Sequence, residues 1–393
     1  MMGLHDTYKI GYLGRELHHG ENLAALLASA GQDVTLCADS MSAGACAMPA
    51  TTFVAPGLRS VLQRSRRVVW QLRGTGDRDY LRNLLRSLDR HRVDCLLAYW
   101  GTGVLGDIIA VKRHRPAIRV VLNLLCHPTA LTRWRAAAQD WHLRRSLGYL
   151  DGLIAPSCAM QAYLERHILR GRRIPCLVWP PYLSQRYYPG TRLPANPQVP
   201  NVLYLGRMDI ARAQITDNVL AILQQLLDCG IHVHHCHVPG GYPKHPLRHV
   251  FTYTDSLAEA INNATSCDVS LVMYNLAACP HRARFEMAVP DRLVASVAAG
   301  IPIAIPREGY AACKEYLRDY PAVIEFGSIA ELAQRLRDRP TIAAYQRAAR
   351  EASRGYVGEH HLPPLLDFLG HVVERPPAAT IVDRAPSSGV AAI

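Results

Sequence analysis

Among the 393 residues there is no Gly-x-x-x-x-Gly-Lys-Ser/Thr run, so the chain is not built as a P-loop nucleotide hydrolase. It has no Gly-x-Ser-x-Gly elbow, which argues against an α/β-hydrolase. The first βα turn lacks Gly-x-Gly-x-x-Gly, which weakens a dinucleotide oxidoreductase. Eleven cysteines contain no Cys-x-x-Cys pair, and most sit in apolar stretches, as Cys95 and Cys126 do. Such thiols are expected to be reduced, in a cytoplasmic protein. Met1–Ile10 has no apolar leader segment, and no run reaches the roughly 20 apolar residues that span a bilayer. Membrane contact is therefore expected to be peripheral. The arginine-rich stretch 59–92 holds few aromatics, Trp70 and Tyr80 among them, so no stacking platform for a single strand is evident and nucleic acid is not the expected partner.

What is present is the composition of a globular protein. Hydrophobic residues make up 49% and charged residues 19%, and the length favours two cores over one. The net charge of +12 is unevenly placed. Residues 1–200 carry 26 Lys and Arg against 13 Asp and Glu, while residues 201–393 carry 18 against 19. The positive field belongs to the first half, where it could draw in an anionic acceptor or a membrane surface.

Strand and helix patterns alternate twice. Tyr8–Leu13, Val34–Cys37, Val93–Tyr99, Arg119–Leu125 and Asp151–Ala155 read as strands, with helical spacing between them and Ser157 as a helix cap. A passage holding Pro180, Pro181, Pro189, Pro194, Pro197 and Pro200 then disfavours both helix and central strand, so it reads as a linker. Strands at Val202–Leu205, Ile231–Val238, Val269–Tyr274, Ile301–Ile305 and Val323–Phe326 follow, again with helices between. This rhythm predicts an α/β protein with mostly parallel sheets. The expected division is an acceptor-binding Rossmann-like domain over 1–190, a second Rossmann-like domain over 198–340, helices over 341–373 packing back on the first domain, and an unstructured tail over 374–393.

Two segments carry the chemistry. Asn201-Val-Leu-Tyr-Leu-Gly-Arg-Met-Asp-Ile-Ala-Arg212 reads as a buried strand, a glycine and two arginines near a helix start, which would form an anion site. Pro290–Pro306 reads as a helix, a stop at Gly300 and an apolar strand. Together they resemble the retaining glycosyltransferase group 1 family of the GT-B fold, whose two Rossmann-like domains face each other across a cleft. The resemblance runs from about Tyr8 to about Val373.

That resemblance implies an enzyme that moves a sugar from a nucleotide-diphosphate donor, UDP- or GDP-linked, to an acceptor, with retention and without a metal. Gly206-Arg207 and Arg212 match the family's diphosphate-holding Gly-Arg and Lys, and their cations could stabilise the departing diphosphate. Pro290-Asp291-Arg292-Leu293 matches a Pro-x-Lys-Leu variant. Ala295 stands where the family has a ribose-binding glutamate, and Met287 where it has the partner glutamate. Glu286, Asp291 and Ser296 are the residues that could stand in. Glu308 and Gly309 lie on the loop that faces the donor in the family, Gly14 on its first-domain loop, and His18 and His19 where an acceptor would bind. His127, directly after a strand, is placed to reach the sugar or move a proton. Two other readings stay open: a catalytically degenerate binding or scaffold protein, motivated by Ala295, and a GT-B nucleotide-sugar epimerase. The histidines at 232, 234, 235 and 237 crowd one strand but alternate between its faces, which is poor spacing for a metal site.

Overall fold

The computed structural model describes residues 9–14, 17–39, 50–53, 78–99, 104–130, 132–190, 199–206, 219–236, 245–251, 257–276, 279 and 281–375. The first unit contains β1 (Lys9–Gly14), α1 (Leu17–Ser29), β2 (Asp33–Asp39), β3 (Ala50–Phe53), α2 (Arg78–Arg90) and β4 (Cys95–Tyr99). It continues through α3 (Leu105–His114), β5 (Arg119–Asn123), α4 (Arg133–Ser146), β6 (Gly152–Ala155), α5 (Cys158–Tyr163) and β7 (Cys176–Val178). A π-helical turn, Leu164–Leu169, extends α5. The second unit contains β8 (Asn201–Tyr204), α6 (Leu220–Asp228), β9 (His232–Cys236), β10 (Arg248–Phe251), α7 (Leu257–Ala264), β11 (Val269–Leu271) and α8 (Ala283–Met287). It ends with α9 (Asp291–Ala298), β12 (Ile303–Pro306), α10 (Ala311–Tyr316), β13 (Val323–Phe326), α11 (Ile329–Arg337) and α12 (Arg339–Ser353), after which α13 (Leu362–Glu374) closes the chain.

All pairings in both sheets are parallel. The first sheet has the order β3-β2-β1-β4-β5-β6-β7 and the second β10-β9-β8-β11-β12-β13. Each is a doubly wound Rossmann-like arrangement whose strand order reverses beside its first strand, and crevices outside the carboxyl ends at such reversals are where ligands bind in open α/β sheets. The strands are buried runs, as parallel sheets covered on both faces require: β4, β5, β6, β8 and β11 are buried throughout. Gly31, Gly230 and Gly300 end helices at φ of +77°, +76° and +60°, conformations that a Cβ disfavours. Ser157 caps α5 by accepting from the Met160 amide at 3.1 Å.

The last helices divide between the two units. In α12, Ile342 and Ala349 pack into the cores of the second sheet. In α13, Leu362, Leu365, Leu366, Leu369 and Val372 pack with Cys95, Leu97, Val121 and Ile154 of the first. Gly152 lies so close beneath α13 that a Cβ there would stand 2.9 Å from the Phe368 ring. The chain thus crosses between units twice. At the first crossing Asn22 accepts from the Ser184 amide and donates to the Tyr182 carbonyl, both at 2.8 Å. At the second, Glu359 accepts from the Ser184 hydroxyl at 2.6 Å and from the Gln185 amide. The Gly358 amide donates to the Leu183 carbonyl at 2.8 Å, and Leu183 and Val357 form a parallel bridge.

Candidate functional site

In the second unit the order reverses between β8 and β11. At the amino ends of these strands Asn201 and Asp268 bond reciprocally: the Asp268 carboxylate accepts from the Asn201 amide at 2.9 Å and the Asn201 side chain accepts from the Asp268 amide at 2.6 Å. Asp268 is wholly buried and also accepts from Arg339 at 2.8 and 3.0 Å and from Gln346 at 3.0 Å. A buried carboxylate stays charged only with such a complement of donors.

At the carboxyl ends the Arg292 guanidinium spans the reversal. Arg292, second residue of α9, donates through Nη1 to the Tyr204 hydroxyl at 2.6 Å and to the Met273 carbonyl at 3.3 Å. Its Cζ lies 4.3 Å from the Tyr274 ring centroid and 5.1 Å from that of Tyr204. Gly206 is dictated by this packing: a Cβ would fall 2.2 Å from the Tyr204 ring, so only glycine lets the chain pass over the buried phenol. Around the next strand end, Gly309 and Tyr310 hold φ of +78° and +63°. The Tyr310 hydroxyl accepts from the Tyr274 amide at 2.8 Å. Glu286 accepts from the Ala311 amide at 3.1 Å, and a Cβ at Gly309 would stand 2.9 Å from its Oε1. Arg292, Tyr204, Tyr274, Tyr310 and the 307–311 loop therefore form one cationic, aromatic-lined edge.

The carboxyl-edge loops of the first sheet meet this edge. Arg284 donates to the Thr129 carbonyl at 2.9 Å, the Ser157 hydroxyl donates to the Met287 carbonyl at 2.7 Å, and the Cys158 amide is shared between the two oxygens of Glu315 at 3.0 and 3.2 Å. A cleft open to solvent is lined by Asn22, Leu23, Tyr99, Trp179, Tyr182, Asp291 and Val294. Its walls come from both units.

The residues singled out in the sequence are distributed unevenly about this edge. Arg292 is at its centre, Asp291 stands exposed on the cleft wall, Glu286 and Gly309 shape the neighbouring loop, and Glu308 is exposed on that loop. Leu293 is wholly buried in the core, so its side chain does not reach the cleft surface. Ser296 is also buried, donating to Ser270 Oγ at 2.7 Å. Gly14 ends β1, opposite Ala38, while His18 and His19 start α1 with side chains outside the described residues. Arg207 and Arg212 lie outside the described residues as well. Gly206, the last described residue before them, ends at the reversal. Three tyrosines, 204, 274 and 310, were not legible from sequence. Arg284 was not either. One glycine pattern was available: Gly101-Thr-Gly103-Val-Leu-Gly106 follows β4 and leads into α3, although residues 100–103 are not described.

His127 has turned inward. It is 1% exposed, its Nε2 lies 2.9 Å from Asp140 Oδ1, and the other Asp140 oxygen accepts from the Tyr163 hydroxyl at 2.7 Å. Because a carboxylate only accepts, the proton is on Nε2. The histidine thereby holds the β5–α4 loop and does not offer Nε2 to a sugar. Burial works against the charge on Asp140, yet the bonds from His127 and Tyr163 outweigh it and hold the carboxyl below its ordinary value. With a lowered folded value, the stability it contributes is present above its unfolded value near pH 4 and is lost as pH falls through the folded one. Asp140→Asn should therefore flatten the acid limb of the stability curve below about pH 4. Urea titrations from neutral pH downward measure this, and an unchanged slope would remove Asp140 from the acid response.

The histidines of β9 and β10 stack with one another. His232 Nδ1 lies 2.8 Å from His249 Nε2, and the His234 and His249 rings are 4.6 Å apart. Burial and the two neighbouring imidazoles push His234 down to about 4. Among the described residues no group of His, Cys, Asp and Glu is placed to hold a metal, and no helix among them is long and apolar enough to cross a membrane.

Residues 19–180 match the family described as glycosyl transferase 4-like domain. No curated protein matches the sequence significantly. Among solved structures, the sucrose-phosphate synthase of Thermosynechococcus elongatus superimposes with a TM-score of 0.64 at 12% identity, over 93% of this chain and 98% of that one. The trehalose-6-phosphate protein of E. coli bound with UDP-2-fluoro glucose superimposes with a TM-score of 0.62 at 13% identity, over 94% and 100%. A glycosyltransferase from Rickettsia africae gives 0.59 at 12%, over 94% and 100%. The chain thus matches a glycosyl transferase 4-like domain over residues 19–180 and has, over nearly its whole length, the two-Rossmann-domain GT-B fold of these structures.

Proposed function

We propose that the protein transfers a glycosyl group from a nucleoside-diphosphate sugar to a hydroxyl of an acceptor seated in the cleft, with retention of configuration and without a bound metal. The observation that carries this reading is the Arg292 guanidinium, fixed across the β8–β11 reversal by Tyr204, Met273 and Tyr274. As the glycosidic C–O bond breaks, charge builds on the diphosphate. A preorganised cation at that point favours the transition state more than the ground state.

Arg207, next after Gly206 in sequence, and Arg212 beyond it add two further cations to the same edge in this reading. Arginines then supply the charge that Mg²⁺ supplies elsewhere. Gly206, Gly309 and Gly14 let backbone approach the donor, with Glu286 and Glu308 bordering it. Asp291 joins them on the donor side, His18 and His19 serve the acceptor in this reading, and His127 acts as a positioning residue for the β5–α4 loop. UDP and GDP are the expected bases, and the UDP-sugar held by the E. coli structure of the same fold supports the first. The positive first half favours an acceptor that is anionic or carried at a membrane.

The test is a thermal-shift panel of UDP, GDP and dTDP with their sugars, followed by donor hydrolysis and transfer assays with and without EDTA. One base should raise the melting midpoint by several degrees at saturating ligand, and turnover should survive chelation. Absence of binding to every nucleotide would sink the donor assignment. Loss of activity in EDTA would overturn the metal-free chemistry alone, and epimerised sugar without an acceptor would favour the epimerase.

A further inference from the structure

Helix α4 carries two apolar stripes. Ala136, Leu143 and Ser146 are buried against the first unit. At about 100° per residue, Trp134 and Trp141 fall on the opposite side of the cylinder. They are 68% and 50% exposed, and among the described residues the other exposed large hydrophobic is Val250, in the second unit. Ala137 and Ala138, both exposed, lie between them along the helix. A cationic frame surrounds this outward stripe. Arg133, Arg135 and Arg145 are exposed and Arg144 half-exposed. The Arg135 guanidinium sits 4.9 Å from the Trp134 ring centroid and that of Arg145 5.6 Å from Trp141. The one carboxylate of α4, Asp140, is committed to His127 and Tyr163. The π turn packed beside α4 and its exit add exposed Arg166, Arg170, Arg172 and Arg173.

Exposed tryptophan framed by arginine fits one environment well. Indole rings settle at the headgroup level of a bilayer, where one edge is apolar and the other wet. Guanidinium groups pair with phosphate. A second copy of the chain would bring one arginine frame against another and be repelled.

We propose that the outer face of α4 docks the protein on an anionic phospholipid bilayer, with Trp134 and Trp141 entering the headgroup layer and the flanking arginines on lipid phosphates. The helix is also tied to the cleft. Its Gln139 holds the Ala130 amide and the Thr129 hydroxyl, at 3.1 and 2.6 Å, and the Thr129 carbonyl receives Arg284 from the second unit. Docking would therefore set the β5–α4 loop, and the cleft mouth next to it, beside the lipid surface.

Sedimentation of the full chain with vesicles tests this, using phosphatidylcholine alone and phosphatidylcholine with about a third phosphatidylglycerol. The chain should pellet with the anionic vesicles and not the neutral ones, less so as salt is raised. Each arginine near the surface contributes roughly fivefold to partitioning, so Arg135→Glu with Arg145→Glu should abolish pelleting. Trp134→Ser with Trp141→Ser should lower partitioning at least about tenfold. Thermal melts of both double variants should match the parent, since these side chains are exposed. Failure of the parent chain to bind anionic vesicles, equal binding to neutral ones, or undiminished binding by the tryptophan variant would overturn the proposal. A concentration-dependent dimer lost in that variant would overturn it too, assigning the face to self-association.

Discussion

Arg292→Met should reduce transfer by about 10²- to 10³-fold in kcat/KM, the loss seen when a preorganised donor to developing charge is removed. Methionine keeps much of the arginine stem over Tyr274 but has no donor, so the Tyr204 hydroxyl and Met273 carbonyl lose the group that now reaches them at 2.6 and 3.3 Å. The fold should bear this at a cost of about 1–2 kcal/mol, leaving kinetics to report on the site. Arg292→Lys separates two ideas. A lysine brings the charge as a flexible point without the planar fork, so it should recover only part of the rate. Steady-state kinetics with the donor found in the panel, with nucleoside-diphosphate affinity measured in parallel, decides the matter. A kcat/KM within about threefold of the parent in Arg292→Met would place the diphosphate elsewhere.

Asp268→Ala should be the most destabilising single change described here, at roughly 3–5 kcal/mol. The carboxylate lies wholly buried before β11 and takes bonds from Asn201, Arg339 and Gln346. Its loss strands the Asn201 amide at the amino end of β8 and removes the polar ties of α12 through Arg339 and Gln346. The midpoint of thermal unfolding should fall by roughly 10 °C. A loss below about 1 kcal/mol, the range of ordinary point mutations, would show that the network is dispensable and that the two central strands are fixed by packing alone.

Much of this architecture can be read from residues because parallel strands buried on both faces leave a strong apolar signature. Val323–Phe326 is expected and found with the same bounds. The glycine stops at 31, 230 and 300 take positive φ as their positions require. What escapes is what burial does not mark. β3, β7 and β10 are short; β3 and β10 each end a sheet. β10, Arg-His-Val-Phe, exposes Val250 and is held by its ladder with β9, which leaves little pattern to read. α3 is buried along most of its length and has no one-sided stripe. The helix capped by Ser157 continues only by widening into a π turn from Leu164 onward, ending in Arg170 at φ +46°.

The frame around Arg292 could not be read from the sequence. Pro290-Asp-Arg-Leu marks Arg292 as a charge at a helix start. Nothing in the spacing says that Tyr204, a strand residue, sends its phenol under Gly206 to meet it, because that contact exists only once β8, β11 and α9 are assembled. His127 misleads for the same reason: a histidine after a strand reads as facing the crevice, but the partner that turns it inward, Asp140, comes from the following helix.

A body tied to its neighbour by one strand can swivel; tied by two lying side by side, it folds only about the line between them. The segments around Leu183 and Val357 are bonded to each other where the chain passes between units, with the Tyr182 ring flat on His361 at 3.9 Å. Because α13 belongs to the first sheet, a fragment cut near residue 190 would leave the face of Leu97, Ile154 and Trp179 bare. Neither half can be cleanly excised; the molecule is closer to a clasped book than to two beads on a string.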